Sequence, residues 1–182
     1  MRSRLTPERY RHCVSVARAA EKLAAHHGAP TLKARIAGLV HDIARLWTPA
    51  ELLAYADRHG LPVSAVERTY PVLLHAAVGA DIARRDFAID DPDILGAIAR
   101  HTVAVPGMSA LEKIVYEADT FEPGRTFADR ERLEMLAYTS LDAGLLACIM
   151  SSIQYLNGRQ IPLAAETLAL HDELVKSHDR TA

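Results

Sequence analysis

His41 and Asp42 stand side by side in the apolar stretch Ile36-Ala-Gly-Leu-Val-His-Asp-Ile-Ala-Arg45. A charged carboxylate left unpaired in such a run costs on the order of several kcal/mol. A bound cation removes that cost. Imidazole nitrogen beside carboxylate oxygen suits Fe, Mn, Zn or Co better than Ca or Mg alone. Four further residues of the same chemistry can complete a site: His12, His75, His101 and Asp119. His12, His41, Asp42 and Asp119 could hold one metal, and His75 and His101 a second, with Asp42 bridging. Two metals about 3.5–4 Å apart activate a hydroxide and clamp phosphoryl oxygens during in-line attack. The chemistry to expect is metal-dependent phosphohydrolysis, with the substrate left open.

Helical periodicity sorts the nine histidines. His12 shares a face with Val16, Ala19 and Leu23, and His41 lies above Ala34, Ala37 and Gly38. His75 aligns with Val72, Val78, Gly79 and Ile82, His101 with Ile94, Ala97 and Ile98, and Asp119 with Leu111 and Val115. Each sits on an apolar stripe that should face the core. A single core histidine is usually satisfied by an ordinary hydrogen-bond partner. Four of them sharing one small core with two carboxylates favour a metal. His26, His27 and His59 lie near helix C-termini, where the macrodipole accounts for them. His171 and His178 also lie near helix ends or among polar neighbours.

The elements that must carry these residues all read as helices. Thr6-Pro7-Glu8 is an N-cap with proline at N1, and its helix should end near His26-His27-Gly28. Thr31 opens a second helix that should carry His41 and Asp42. Thr48-Pro-Ala-Glu51, Ser64-Ala-Val-Glu67 and Ser109-Ala-Leu-Glu112 read as capping boxes. Further helices are expected from about Pro71 to Arg84, from Asp91-Pro92-Asp93 to near His101, and from Ser109 to near Asp119. Later ones should start at Asp129, Ser140 and about Ala164. Glu122 to Asp129 reads as a loop beside the site. No stretch alternates with period two, so no strand is expected.

A chain of 182 residues fits one all-α domain spanning 1–182. A formal net charge of −2 argues against a general nucleic-acid binder and makes phosphate recognition a local matter. Cys13 and Cys148, far apart in sequence, read as reduced thiols. The start of the chain has no long apolar stretch of a signal peptide, and no run approaches the roughly 18 residues of a membrane span. A cytoplasmic protein is expected.

The order His…His-Asp…His…His…Asp on helices resembles the HD superfamily of metal-dependent phosphohydrolases. The phrasing is similar to one bacterial branch, the YqeK family of symmetrical bis(5′-nucleosyl)-tetraphosphatases. The matching segments are Arg9-Tyr-Arg-His12, Ala37-Gly-Leu-Val-His-Asp-Ile-Ala-Arg45, His75-Ala-Ala-Val-Gly-Ala80 and Asp93-Ile-Leu-Gly-Ala-Ile-Ala-Arg-His-Thr102. The most specific is Met108-Ser-Ala-Leu-Glu-Lys-Ile-Val-Tyr-Glu-Ala-Asp119, running on into Glu122-Pro-Gly-Arg125. The resemblance implies an HD-domain helical bundle that cleaves diadenosine tetraphosphate to two ADP on a dinuclear, iron-type centre, with Mn, Co or Mg as alternatives. It places metal ligation on His12, His41, Asp42, His75, His101 and Asp119, and nucleotide contacts on Arg9, Thr102 and Arg125. More loosely, Ile161-Pro-Leu-Ala-Ala-Glu166 matches a family stretch near the nucleotide. One departure is clear: His101-Thr-Val-Ala104 stands where the family usually has His-Thr-Thr-Gly, and a lost glycine could alter how closely backbone amides approach a phosphate.

The expected mechanism is attack of a metal-bound hydroxide on a phosphorus of the polyphosphate, with His41, Asp42 and Asp119 as catalytic core. Arg125 is the first choice for a phosphate clamp, because its guanidinium fork matches phosphate; a salt bridge to Glu122 or Asp129 is its duller role. Arg45, a helical turn beyond His41, could also face phosphate or end as a solvated charge. Lys113 could touch substrate, lie on the surface or pair with Glu117, four residues on. Thr102 could bond phosphate or cap a helix end. Other readings are a mononucleotide or dNTP phosphohydrolase on the same dinuclear site, a di-iron oxygenase, and a non-catalytic nucleotide-binding helical protein. No nucleic-acid or membrane partner is expected; a homodimer is.

Overall fold

Local sequence chemistry sets the helix boundaries. In a computed structural model that describes residues 4–178, the Thr6 hydroxyl accepts from the Arg9 amide and opens α1 (Pro7–His26). α2 (Thr31–Val40) follows after Pro30. α3 (Pro49–His59), α4 (Ala65–Thr69) and α7 (Ala110–Phe121) each start from a two-way capping box, in which Thr48, Ser64 and Ser109 exchange hydrogen bonds with Glu51, Glu67 and Glu112. Asp91 accepts from the Asp93 and Ile94 amides to start α6 (Pro92–Ala99). The remaining helices are α5 (His75–Phe87), α8 (Arg130–Thr139), α9 (Leu141–Asn157) and α10 (Ala165–His178). There is no strand among the described residues. Residues 1–3 and 179–182 and the His178 side chain lie outside them, and with them the first residues of the expected leaderless start.

Three boundaries differ from the sequence expectation, and each difference falls at a site residue. α2 stops at Val40, so His41 and Asp42 lie just past the helix. The chain continues through i→i−3 bonds, Ile43 N to Val40 O (3.0 Å), Arg45 N to Asp42 O (2.9 Å) and Trp47 N to Ala44 O (3.1 Å). The helix expected from Pro71 splits into a 3₁₀ turn, Pro71–Leu74, and α5, whose first residue is His75. α6 ends at Ala99, which leaves His101 in the following loop. Asp129 and Ser140 precede α8 and α9 as expected, but neither side chain caps its helix.

A single domain surrounds these turns. α1 and α2 pack most extensively against each other across one seam, and Ala17 and Ala20 on the first and Ala34 and Ala37 on the second are all buried. Gly38 makes the seam tight: a Cβ there would sit 2.9 Å from Ala17 Cα. Gly79 on α5 does the same on another side, where a Cβ would stand 3.2 Å from the His41 carbonyl oxygen. Small residues thus bring α1 and α5 up to the His41–Asp42 turn. Cys13 and Cys148 are buried free thiols. No described helix is long and apolar enough to cross a membrane.

Candidate metal centre

The six expected ligands arrive from five separate places: His12 from α1, His41 and Asp42 from the turn after α2, His75 from the start of α5, His101 from the loop after α6, and Asp119 from α7. They converge. His12 Nε2 lies 3.0 Å from Asp119 Oδ1 and 3.6 Å from Asp42 Oδ2, and His41 Nε2 lies 3.4 Å from Asp42 Oδ2 and 3.7 Å from Asp119 Oδ1. On the other side of the same carboxylate, Asp42 Oδ1 faces His75 Nε2 at 3.1 Å and His101 Nε2 at 3.7 Å. His75 Nε2 and His101 Nε2 are 3.0 Å apart. Asp42 therefore divides its two oxygens between two nests of donors.

Every imidazole is turned by its other nitrogen. His41 Nδ1 bonds the Gly38 carbonyl (2.8 Å), His101 Nδ1 the Ile98 carbonyl (2.7 Å), and His75 Nδ1 the Val72 carbonyl. His12 Nδ1 instead meets Glu122 Oε1 at 3.2 Å. These bonds leave each Nε2 directed at the centre. Nε2 of His12 and of His41 are buried with no hydrogen-bond partner among the described residues. Orphaned buried nitrogens are costly unless something accepts their lone pairs. A transition-metal ion fits that need and the mixed N/O donor set. His12–His41–Asp42, His41–His101–Asp119 and Asp42–His75–His101 each form a group able to hold an ion.

The electrostatics agree with a cation-seeking cluster. Burial by itself would neutralise Asp42, but the charge of His41 and the close imidazoles of His101, His41 and His75 hold its carboxyl far below the usual range. Burial also opposes ionisation of Asp119, which His12, His41 and Arg125 nonetheless keep well below an ordinary carboxylate. Burial disfavours charge on His41, yet Asp42 and then Asp119 outweigh it and raise its pKa. His101 is lowered, chiefly by burial, and so favours the neutral form that ligates.

The cations and hydroxyl expected at substrate divide into three groups. Arg9 Nη1 lies 2.8 Å from Asp42 Oδ2, and Arg125 Nη2 lies 2.9 Å from Asp119 Oδ1 with its Nε donating to the Asp119 carbonyl at 3.2 Å. Both border the centre, and Arg125 pairs with Asp119, not with Glu122 or Asp129. Thr102 directly follows His101 in the chain, Arg45 comes three residues after Asp42, and both are partly exposed. The Thr102 hydroxyl has no hydrogen-bond partner among the described residues, so it caps no helix. Arg45 belongs to the turn after Asp42, not to α2. Lys113 is placed elsewhere: its Nζ pairs with Asp142 Oδ1 at 2.5 Å, in a cleft lined by His27, Ser140 and Thr139. It lies six positions before Asp119 on α7, about 9 Å along the axis. Of the roles open to Lys113, pairing with Glu117 is replaced by the ion pair with Asp142.

The Val103–Ala104 departure has a structural counterpart. Neither residue has a positive φ, so this loop does not use the conformational freedom of a glycine. Ala104 is buried, and its carbonyl accepts a 3.0 Å bond from Thr167 Oγ1 on α10. The segment 161–166, which runs into the first turn of α10, is thereby held near the loop that carries His101.

The burial of Glu122 and Glu117 was not expected from the sequence. Glu122, expected in a loop and as a possible Arg125 partner, is instead buried behind His12; its signal was a carboxylate one turn past Asp119. Glu117 is wholly buried with neither carboxylate oxygen partnered among the described residues. Burial raises its pKa well above the normal value. Nothing in its sequence position distinguishes it from a helix-surface glutamate.

The HD domain sequence profile matches residues 9–124, the span that contains all six converging residues. The chain belongs to the HD domain family. Among HD-type relatives, it is 35% identical over 175 residues to the symmetrical bis(5′-nucleosyl)-tetraphosphatase of Bacillus subtilis, covering 96% of this chain and 94% of the relative. It is 34% identical to the protein of the same name from Halalkalibacterium halodurans, over 94% and 91% of the two chains. A crystal structure described as a predicted HD superfamily hydrolase involved in NAD metabolism, from Clostridium acetobutylicum, superposes with a TM-score of 0.92 at 34% identity, covering 96% and 93%.

Proposed function

We propose that the chain is a symmetrical dinucleoside-tetraphosphatase that hydrolyses diadenosine tetraphosphate to two ADP. The observation that supports hydrolysis at a dinuclear centre is the division of Asp42: Oδ2 toward His12 and His41, Oδ1 toward His75 and His101. The choice of substrate rests on the two near-full-length relatives named for that activity. His12, His41, Asp42 and Asp119 would hold one ion, and Asp42, His75 and His101 the other, with iron as the proposed metal. Loaded, the pair supplies a water acidic enough to act as nucleophile near neutral pH and positive charge for the phosphoryl oxygens.

The chain's own residues do the rest. Asp42 and Asp119 stay ionised because the surrounding histidines and Arg125 hold them so. Arg9 and Arg125 flank the centre with guanidinium groups that match phosphate oxygens in pairs, and Thr102 and Arg45, close behind ligands in the chain, would add further contacts. Water adds to one phosphorus as its anhydride bond to the neighbouring phosphate breaks. The departing ADP is weakly basic and needs no strong acid to leave. The reduced buried thiols fit a cytoplasmic setting.

The test is to give metal-analysed protein a panel of dinucleoside polyphosphates, mononucleotides and cyclic nucleotides. ADP as sole product from diadenosine tetraphosphate supports the proposal. AMP plus ATP, or turnover of mononucleotides alone, contradicts it.

A further inference from the structure

The four centre-facing histidines are not anchored alike. Nδ1 of His41, His75 and His101 each bonds the backbone carbonyl three residues earlier in its own chain segment. His12 Nδ1 lies 3.2 Å from the carboxylate of Glu122, 110 residues away in sequence. That carboxylate is itself fixed, since its Oε2 accepts a 2.7 Å bond from the Gly124 amide, and the side chain is only 5% exposed.

We propose that Glu122 is a positioning residue that makes the His12 half of the centre the tighter metal site. A carboxylate behind an imidazole holds the proton on Nδ1, frees the Nε2 lone pair and raises its basicity. A neutral carbonyl orients the ring equally well but adds no negative charge. The His12 half combines this ligand with His41, Asp42 Oδ2 and Asp119. The His75 half has one oxygen of Asp42 and two imidazoles backed by carbonyls. Charge and donor strength both favour the first half, so one equivalent of metal binds tightly there and the second more weakly beside it.

This inference rests on the metal-centre reading but not on the substrate, so it is tested without nucleotide. Competition titration with a chelator should resolve two classes of site in the wild-type chain. Glu122→Gln should raise the dissociation constant of the tight class roughly 10- to 100-fold and leave the weak class within about two-fold. The reason is specific. One amide oxygen cannot serve both Gly124 N–H and His12 Nδ1–H. With the oxygen kept on Gly124, the NH2 faces Nδ1 and forces the proton onto Nε2, where it blocks ligation.

Long-range 1H–15N correlations on the metal-free protein read that tautomer directly: Nδ1–H at His12 in wild type, Nε2–H in Glu122→Gln. A role confined to bracing the loop would lower the melting temperature in chelator without moving the tautomer. Should Glu122→Gln fail to fold, Glu122→Asp keeps the charge at longer reach and must still weaken the tight class selectively. Unchanged affinities, equal weakening of both classes, or an unmoved tautomer overturns the role of Glu122. A chain that binds no transition metal overturns the centre itself.

Discussion

Replacing Gly38 with alanine should damage the centre from a distance. The new Cβ would stand 2.9 Å from Ala17 Cα and 3.1 Å from Ala17 N, where ordinary contact is 3.4 Å or more. The obstruction is backbone, so α1 must retreat from α2 by roughly half an ångström; overpacking of this kind costs about 1–3 kcal/mol. For a chain of this size each kcal/mol lowers Tm by roughly 2–4 °C, so a fall of about 2–12 °C is expected in chelator. His12 rides on α1, five residues before Ala17. Metal–ligand distances tolerate only about 0.2 Å, so its displacement should weaken the His12 half of the centre as well. Thermal unfolding with chelator and metal analysis without it measure both effects. Gly158→Ala is the control, since its Cβ would meet nothing closer than 3.5 Å. A Gly38→Ala protein with the Tm and metal content of that control would refute the reasoning.

Asp42→Asn should abolish turnover and reduce bound metal to about a tenth or less, because one amide oxygen cannot serve both nests; elemental analysis and product assay check it. Arg125→Lys should lower kcat/KM roughly 10- to 100-fold with metal content unchanged, as the paired donors are lost. Glu117 gives a pH prediction. Its folded-state pKa is raised above the unfolded value, so the unfolded state loses its proton first, and stability falls as pH rises above the unfolded pKa. The slope approaches about 1.4 kcal/mol per pH unit until the folded group ionises. Glu117→Gln should flatten that slope in denaturant titrations of metal-free protein between about pH 5 and 8.

The helices were legible because their signals are local. Thr48, Ser64 and Ser109 announce their capping boxes within four residues, and the structure contains all three. The convergence of the six residues was legible because four histidines and two carboxylates on apolar stripes must share one small core. The exact ends of α2 and α6 were not, since no proline, glycine or capping residue stands at Val40 or Ala99 to mark them. Glu122 and Lys113 show the same limit from opposite sides. One acts through a partner 110 residues away. The other pairs with Asp142 on α9, a contact that only the packing of α7 against α9 creates.

Anomalous diffraction from crystals of the metal-loaded protein addresses the central claim most directly. Two peaks about 3.5–4 Å apart are expected, one on each side of the Asp42 carboxylate. A lone peak away from Asp42, or none among His12, His41, His75, His101 and Asp119, would contradict it.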